Sequence, residues 1–328
     1  IVLQQLRDRN LYPDVDAPVY GQVGPVLMMT NPNGSGTIYY TTDGSDPRDQ
    51  GSPTYSAPIN LATSATYNSR VLDGGVWSAL QSMDILTGIP ADATNLVISE
   101  IYYNEPGSGE ANEFIELTNI SGVEINLSNL SFTEGLTYTF PVGNVLAPGA
   151  QFVLRPTDYI GSLDNGGETI TLNDASGAII ESFAYGDFLP WPEAADGGGH
   201  SLVRISPASQ LNPHDATSWR ASTAVGGNAG TTDYTSFPGG DDAALLSYVF
   251  GGSDIGLGAA LGTVVVPRNL AADDVIVTVQ TSIDLINWTD LTEFLDETFP
   301  AAGFSSRTYA VDPGGSERFF RVGMQLRQ

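Results

Sequence analysis

The chain has no cysteine and no lysine among its 328 residues, and all 12 of its basic residues are arginine. Without cysteine there is no disulfide, no thiol nucleophile and no thiolate metal ligand. Without lysine there is no amine for Schiff-base chemistry or for the phosphate contact of a P-loop. These missing residue types exclude several large enzyme classes.

Positive charge is also scarce, because 38 acidic residues face 12 basic ones and give a net charge of −26. Nucleic-acid binding is not expected, since proteins bind the phosphate backbone through a cationic surface. No hydrophobic run approaches the length that crosses a bilayer, so membrane insertion is not expected either. The chain begins at Ile1, without a methionine or a signal peptide, which suggests a processed piece of a longer protein.

Glycine and proline, by contrast, are abundant, with 37 and 20 residues spread along the chain. They separate short segments rich in β-branched and aromatic residues, such as TIYYTT, EFIELTNI and VIVTVQTS. This pattern is typical of sandwich strands and predicts an all-β protein. Two short helices are expected, one at the N-terminus and one near residues 241–250, where Asp241 and Asp242 lie in the first turn and Gly251 ends the helix.

Two stretches with few large apolar residues mark the domain boundaries, at Gly88–Asn95 and at Gly226–Asp242. The sequence therefore predicts three linked β-sandwiches. Residues 1–88 hold a short helix and the first sandwich, residues 95–230 hold the second, and residues 232–328 hold the third with its leading helix.

The first sandwich carries IYYTTDGSDPR at Ile38–Arg48, followed by YSAPINL from Tyr55 and ATYNSRV from Ala65. In these segments the chain resembles the small Ig-like domain at the C-terminus of chitobiase and hexosaminidase proteins.

The acidic residues of this segment have two interpretations. Gly44 favours a turn, Asp46 can accept a hydrogen bond from the backbone that follows it, and Pro47 fixes its own φ, so we favour a structural turn. The alternative is a calcium site at Asp43 and Asp46. Calcium is the one cofactor that the sequence leaves open.

The second sandwich carries LVISEIYYNEPGSGEANEFIELTNISGVEINLSNLSF, then FPVGNVLAPGAQFVL, GSLDNGGETITLND and SWRAS. It resembles a bacterial lamin-tail domain, a compact Ig-like sandwich. That resemblance implies a non-catalytic accessory module of secreted and surface proteins.

The third sandwich, with DDAALLSYVFGG and SIDLINWTDL, is similar to C-terminal modules of large secreted proteins. The N-terminal LRDRNLYPDVDAPVYGQVG resembles the join that follows a spore-coat-H-like kinase domain in secreted multidomain proteins. Together the resemblances imply three linked Ig-like β-sandwich domains from the C-terminal half of a longer parent.

Three glutamates are the carboxylates most suggestive of chemistry, namely Glu100, Glu113 and Glu116. Pairing of their strands would bring two of them close together. One that lies inside the sandwich needs a partner, and we predict a structural ion pair between Glu116 and Arg220. The alternative is a metal or acid–base pair of a metal-assisted hydrolase.

Trp191 lies between prolines, with Tyr185 nearby, and the two form a candidate ligand platform for a sugar or a partner protein. The alternative is that Trp191 caps the end of the sandwich.

These observations predict a non-catalytic, extracellular or cell-surface segment that displays, spaces or anchors, with no catalytic residue. Its expected partners are further copies of itself or another cell-surface protein, and polysaccharide is a further candidate. Two alternatives stay open: a carbohydrate-binding accessory region of a glycan-degrading or kinase-like parent, and the metal-assisted hydrolase.

Overall fold

The computed structural model of the chain describes residues 2–23, 26–49, 51–61, 64–85, 87–107, 109–252, 263–292, 294–310 and 319–327. Two helices occur in these ranges, α1 (Val2–Arg7) and α2 (Asp242–Phe250). Neither has the length and apolar character that a membrane-spanning helix requires. Besides these two α-helices, three 3₁₀ helices of three residues each lie at Glu193–Ala195, Pro207–Ser209 and Ala216–Ser218. All other regular structure in these ranges is β, which confirms the predicted fold class.

The strands are, in chain order, β1 (Val19–Val23), β2 (Val26–Thr30), β3 (Thr37–Thr41), β4 (Ile59–Asn60), β5 (Ala65–Asp73), β6 (Val76–Trp77), β7 (Gln81–Ile85), β8 (Ile89–Pro90), β9 (Leu96–Tyr102), β10 (Phe114–Asn119), β11 (Ile125–Asn126), β12 (Ser131–Glu134), β13 (Leu136–Thr139), β14 (Val145–Leu146), β15 (Gln151–Leu154), β16 (Ile160–Gly161), β17 (Thr169–Asn173), β18 (Ile179–Ala184), β19 (Leu202–Arg204), β20 (Trp219–Ala221), β21 (Thr263–Asn269), β22 (Val275–Ser282), β23 (Thr289–Asp290), β24 (Phe294–Ala301), β25 (Phe304–Ala310) and β26 (Phe319–Leu326).

The chain divides into two compact units. The first comprises residues 1–92, 122–130 and 139–148, and the second comprises residues 93–121, 131–138 and 149–328. The second unit thus draws on both of the predicted domains that follow residue 95. The boundaries of the three predicted domains stay a prediction.

The first unit contains two small sheets around one core. Their strand orders are β1-β2-β4 and β3-β5-β6, with β7 also pairing with β5. In β2, Leu27 and Met29 are buried whereas Met28 between them is exposed, as expected for a strand with one face on a core. These two residues pack with Ile38 of β3 and Val71 of β5. A third small sheet of the unit has the order β14-β11-β8.

In the second unit, two five-stranded sheets have the orders β15-β10-β9-β19-β20 and β16-β13-β12-β17-β18. Phe183 of β18 stacks on Trp219 of β20 with ring centroids 5.2 Å apart. Every residue of β9 and β10 is buried, so the sheet is covered on both faces at these central strands. A charged side chain in either strand must therefore find a partner inside the protein.

The C-terminal part of the second unit has two three-stranded sheets, β21-β25-β24 and β23-β22-β26, with α2 against β21. Val249 and Phe250 of α2 join a core that includes Val264, Val266 and Val279.

Helix α2 begins and ends as its sequence predicts. The side chain of Asp241 accepts a hydrogen bond from the backbone N–H of Ala244 at 3.0 Å. Gly251 follows the helix with a φ of +73°, and its N–H donates to the carbonyl of Ser247. The predicted end of the helix at Gly251 is therefore confirmed, and Asp241, which was expected in the first turn, caps the helix from the position before it.

Candidate functional site

The acidic segment of the first unit forms a turn that its own side chains hold together. Asp43 accepts hydrogen bonds from the backbone N–H and the hydroxyl of Ser45, at 3.0 and 2.6 Å. Gly44 has a φ of +81°, a left-handed conformation that glycine adopts without strain. Asp46 accepts from the backbone N–H of Arg48 at 3.1 Å. The turn interpretation of this segment is confirmed.

Both carboxylate oxygens of Asp46 are also engaged by arginine. Its Oδ2 lies 2.8 Å from Nη2 of Arg48, and its Oδ1 lies 2.9 Å from Nε of Arg70. Burial opposes the charge of Asp46, but hydrogen bonds from Arg70 and Arg48 outweigh it and lower its pKa to about 2. A cation here would have to displace two guanidinium groups. Calcium at Asp43 and Asp46 stays a prediction that the arrangement at Asp46 does not favour.

One row of register partners crosses the five-stranded sheet formed by β9, β10, β15, β19 and β20. Glu116 on β10 lies opposite Glu100 on β9, and Glu100 lies opposite Val203 on β19. Val203 in turn lies opposite Arg220 on β20. Residues directly opposite each other share a face of the sheet, so both carboxylates and the guanidinium belong to one face. The predicted proximity of two glutamates is confirmed for Glu100 and Glu116.

The carboxyl group of Glu100 is 1% exposed and has internal partners. Its Oε1 accepts from the hydroxyl of Ser201 at 2.5 Å and from the backbone N–H of Asn228 at 2.9 Å. Burial, aided by the charge of Glu116, raises the pKa of Glu100 to about 7 although both hydrogen bonds lower it. Such a group suits general acid chemistry. The adjacent cavity, however, measures about 160 Å³, whereas ligand sites span about 300–1,000 Å³.

Glu116 is 3% exposed and is likewise held from within. One oxygen accepts from the hydroxyl of Ser99 at 2.7 Å, and the other accepts from the backbone N–H of Gly230 at 2.8 Å. Burial raises the pKa of Glu116. The two carboxylate oxygens of Glu116 thus accept hydrogen bonds from Ser99 and Gly230, and not from Arg220.

Arg220 is fully buried between two aspartates. Its Nε and Nη2 donate to the two oxygens of Asp273 at 2.7 and 2.9 Å, and its Nη1 donates to Asp233 at 2.9 Å. Burial opposes the charge, but Asp273 and Asp233 outweigh it and raise the pKa of Arg220. The predicted ion pair of Glu116 with Arg220 is therefore wrong.

Strand order explains the error. β10 and β20 are separated by β9 and β19, so the row places Glu116 and Arg220 about 14 Å apart at roughly 4.8 Å per strand. Sequence patterning indicated that a glutamate inside the sandwich needs a partner, but it did not give this separation. It also missed Asp273, which lies 53 residues from Arg220, because no motif spacing links the two.

Glu113, the third glutamate singled out, lies just before β10 and is fully buried. Burial, followed by the charges of Glu110 and Glu105, raises its pKa to about 7. Glu113 does not belong to the row of register partners. Across the described ranges, no three His, Cys, Asp or Glu side chains are grouped so that they could hold a metal ion.

Tyr185 and Trp191 differ in their exposure. Tyr185 is 4% exposed, its hydroxyl donates to the carbonyl of Asp164 at 2.8 Å, and its ring lies 4.8 Å from the ring of Tyr103. The prediction that Tyr185 forms part of a ligand platform is therefore wrong, because a buried ring offers no face to a ligand. Trp191 is half-buried, 6.3 Å from the ring of Trp219. A ligand role for Trp191 stays a prediction.

Comparison with known proteins identifies two domains. Residues 90–187 match the family model of the Lamin Tail Domain, and residues 19–81 match that of the Chitobiase/beta-hexosaminidase C-terminal domain. The lamin-tail match ends before β19 and β20, the strands that complete the sheet carrying Glu100 and Arg220.

Among solved structures, the chain is similar to a DUF4876 family protein from Bacteroides thetaiotaomicron. The similarity covers 43% of this chain and 45% of that chain, with 15% sequence identity and a TM-score of 0.17. The chain thus matches less than half of the length of that structure. No curated protein matches the chain. The two family matches, to the chitobiase/β-hexosaminidase C-terminal domain and then to the lamin tail domain, lie in the order that the motifs of the sequence predicted.

Proposed function

We propose that this segment is a non-catalytic accessory region of an extracellular protein, and that it displays, spaces or anchors its parent at the cell surface. The observation that carries the proposal is the engagement of Glu100, Glu116 and Arg220 by internal partners. These are the three charged side chains on the row of register partners that crosses the sheet. Both matched families are Ig-like sandwich domains without a catalytic function, which supports the same reading.

The ion pair of Arg220 with Asp273 supports a spacer function for this segment. It ties β20, the last strand of its sheet, to Asp273, which lies two residues before β22. A spacer keeps its attachments at a set separation only when its parts are held together, and buried charge pairs are costly to break.

Edge strands offer a route to self-association. β18 stands at the end of its sheet order, and Ile179 at its start is 63% exposed. An edge strand presents backbone N–H and C=O groups with which a second strand can pair. A second copy of the chain, or another cell-surface protein, is the partner we propose for it.

Sedimentation velocity over a range of concentrations tests this, together with binding of the purified segment to cell envelopes. We expect the wild type to associate. The association constant of Ile179→Lys should be lower by about tenfold or more, because a lysine on an edge strand opposes pairing. Val142→Lys is the matched control, since Val142 is also exposed but lies outside the strands. A wild type that stays monomeric at high concentration and binds no envelope would refute display and anchoring.

A cleft favours carbohydrate binding as a second candidate function. It measures about 500 Å³ and lies in the second unit, lined by aromatic residues that include Trp219, Phe294 and Tyr309, with Thr217 and Arg307 as polar groups. Its volume and mixed lining are those of small-ligand sites. Calorimetric titration with oligosaccharides tests this candidate, and the absence of any saturable binding would exclude it.

A further inference from the structure

A smaller cavity adjoins that cleft, with Thr217, Arg307 and Tyr309 in the lining of both, and it concentrates positive charge. It measures about 250 Å³, and its lining includes Arg268, Arg307 and Arg327. The chain has only 12 basic residues against 38 acidic ones. Three of these scarce cations therefore line one small cavity.

Strand register places two of these arginines on an inward face. Val266 on β21 lies opposite Arg307 on β25, and Arg268 lies opposite Ser305. Alternate residues of a strand share a face, so Arg268 and Arg307 lie on the face that buries Val266. Arg327 follows directly after β26.

The three guanidinium groups are not equally satisfied. Nε of Arg307 donates to Glu297 at 3.0 Å, and Nε of Arg327 donates to the backbone carbonyl of Asp273 at 2.7 Å. The guanidinium of Arg268 has no hydrogen-bond or ion-pair partner among the residues that the structure describes. The nearby carboxylate of Asp273 is already bound by Arg220.

The surroundings of Arg268 disfavour its charge. Burial, followed by the positive charge of Arg307, lowers the pKa of Arg268 to about 10, although Asp273 and Glu297 act in the opposite direction. Arg268 is half-buried, so its guanidinium has lost part of its hydration without gaining a protein partner, and an added anion would offset that loss.

We propose that this cavity binds an oxyanion, namely a carboxylate, sulfate or phosphate group, through Arg268 with the help of Arg307 and Arg327. The planar fork of a guanidinium matches two oxygens of such groups. A volume of about 250 Å³ accommodates a small oxyanion or one anionic substituent of a larger ligand. The site does not depend on the accessory function proposed above.

The test is isothermal titration of the full chain with sodium sulfate, sodium phosphate and sodium galacturonate, with chloride at matched ionic strength as the reference. Sulfate and phosphate present a tetrahedral oxyanion, whereas galacturonate presents the carboxylate of an acidic sugar. We expect saturable binding of at least one of them. Arg268→Gln and Arg327→Gln should each weaken it about tenfold or more, since each removes a charge-assisted hydrogen bond.

Arg321→Gln is the matched control, because Arg321 is exposed and stacks on Trp288 at 4.2 Å, outside the cavity. This variant should bind as the wild type does. Equal affinity of Arg268→Gln and the wild type, or no saturable binding of any of the three anions, overturns the proposal.

Thermal unfolding separates the anion site from a purely structural role. Without added oxyanion, Arg268→Gln should unfold at the same temperature as the wild type or higher, because it removes an unpaired charge. Sulfate stabilises many proteins by exclusion from their surface, so the readout is the difference between variant and wild type. If Arg268→Gln fails to fold, Arg327→Gln carries the same test, and its unchanged affinity overturns the proposal.

Discussion

Arg220 and Asp273 form a buried, two-pronged ion pair, with Nε–Oδ1 and Nη2–Oδ2 distances of 2.7 and 2.9 Å. Their side chains are 0% and 1% exposed. Asp233 accepts a hydrogen bond from the third guanidinium nitrogen of Arg220, Nη1. Because Arg220 is fully buried and bound by both carboxylates, the loss of one partner leaves a buried charge underpaired.

Asp273→Ala should therefore lower the free energy of unfolding of the second unit by about 3–5 kcal/mol, the cost of breaking a buried ion pair from one side. Denaturant titration followed by tryptophan fluorescence measures it, since the buried Trp219 is the neighbour of Arg220. Arg48→Ala is the control, because the Arg48 side chain is 54% exposed and such pairs contribute about 0–1 kcal/mol. Similar losses in the two variants would contradict the role given to Asp273.

The raised pKa of Glu100 predicts a pH dependence. The pKa is about 7 in the folded chain and about 4.3 in an unfolded one. The folded state thus binds the proton more tightly, so the contribution of Glu100 to stability is full below pH 4.3 and is lost as the pH rises to 7.

Glu100→Gln should remove this dependence. Its carbonyl oxygen can still accept from Ser201 and Asn228, and it carries no charge. Near pH 4 the variant and the wild type should have similar free energies of unfolding, whereas at pH 8 the variant should be more stable by up to about 4 kcal/mol. Unfolding titrations at both pH values check this, and parallel pH profiles would argue against it.

Metal titration tests both metal-binding alternatives, the calcium site at Asp43 and Asp46 and the metal-assisted hydrolase. We expect calcium to leave the unfolding temperature of the first unit unchanged, because Arg48 and Arg70 occupy both oxygens of Asp46. A saturable rise that Asp43→Ala abolishes would instead establish the calcium site at Asp43 and Asp46. Stoichiometric manganese, magnesium or zinc, lost in Glu100→Gln, would support the metal-assisted hydrolase.

Trp191 provides the test of a carbohydrate platform. Its ring lies against Trp219, which lines the cleft of about 500 Å³. If the segment binds oligosaccharides there, Trp191→Ala should weaken the binding about tenfold, since aromatic contacts are worth roughly 1 kcal/mol or more each. Neither tryptophan lines the cleft itself, but Trp191 packs on its wall residue Trp219, whereas Trp288 packs on Arg321, so Trp288→Ala is the control. Equal losses in the two variants would remove Trp191 from the ligand site.

Parts of the fold that depend on neighbouring residues were predictable. The turn at Asp43–Asp46 and the caps of α2 follow from the conformations that glycine, aspartate and proline favour within a few residues. The all-β class follows in the same way from segment length and residue type. The two family matches also agree with the motifs that predicted them.

The pairing of charges was not predictable. Sequence patterning correctly indicated that Glu116 lies inside the sandwich and needs partners. It assigned Arg220 as the partner, although Arg220 is three strands away. It also did not show that Tyr185 is buried.

The sequence by itself determined the extended segments, their turns and the excess of acid, because these depend on local backbone preference and composition. Only the tertiary structure decided which charges meet. Arg220 binds Asp273, which is 53 residues away, and Arg268 on β21 shares a sheet face with Arg307 on the neighbouring strand β25. Strand order and the packing of one sheet on another set these distances, and neither is encoded in the spacing of residues along the chain.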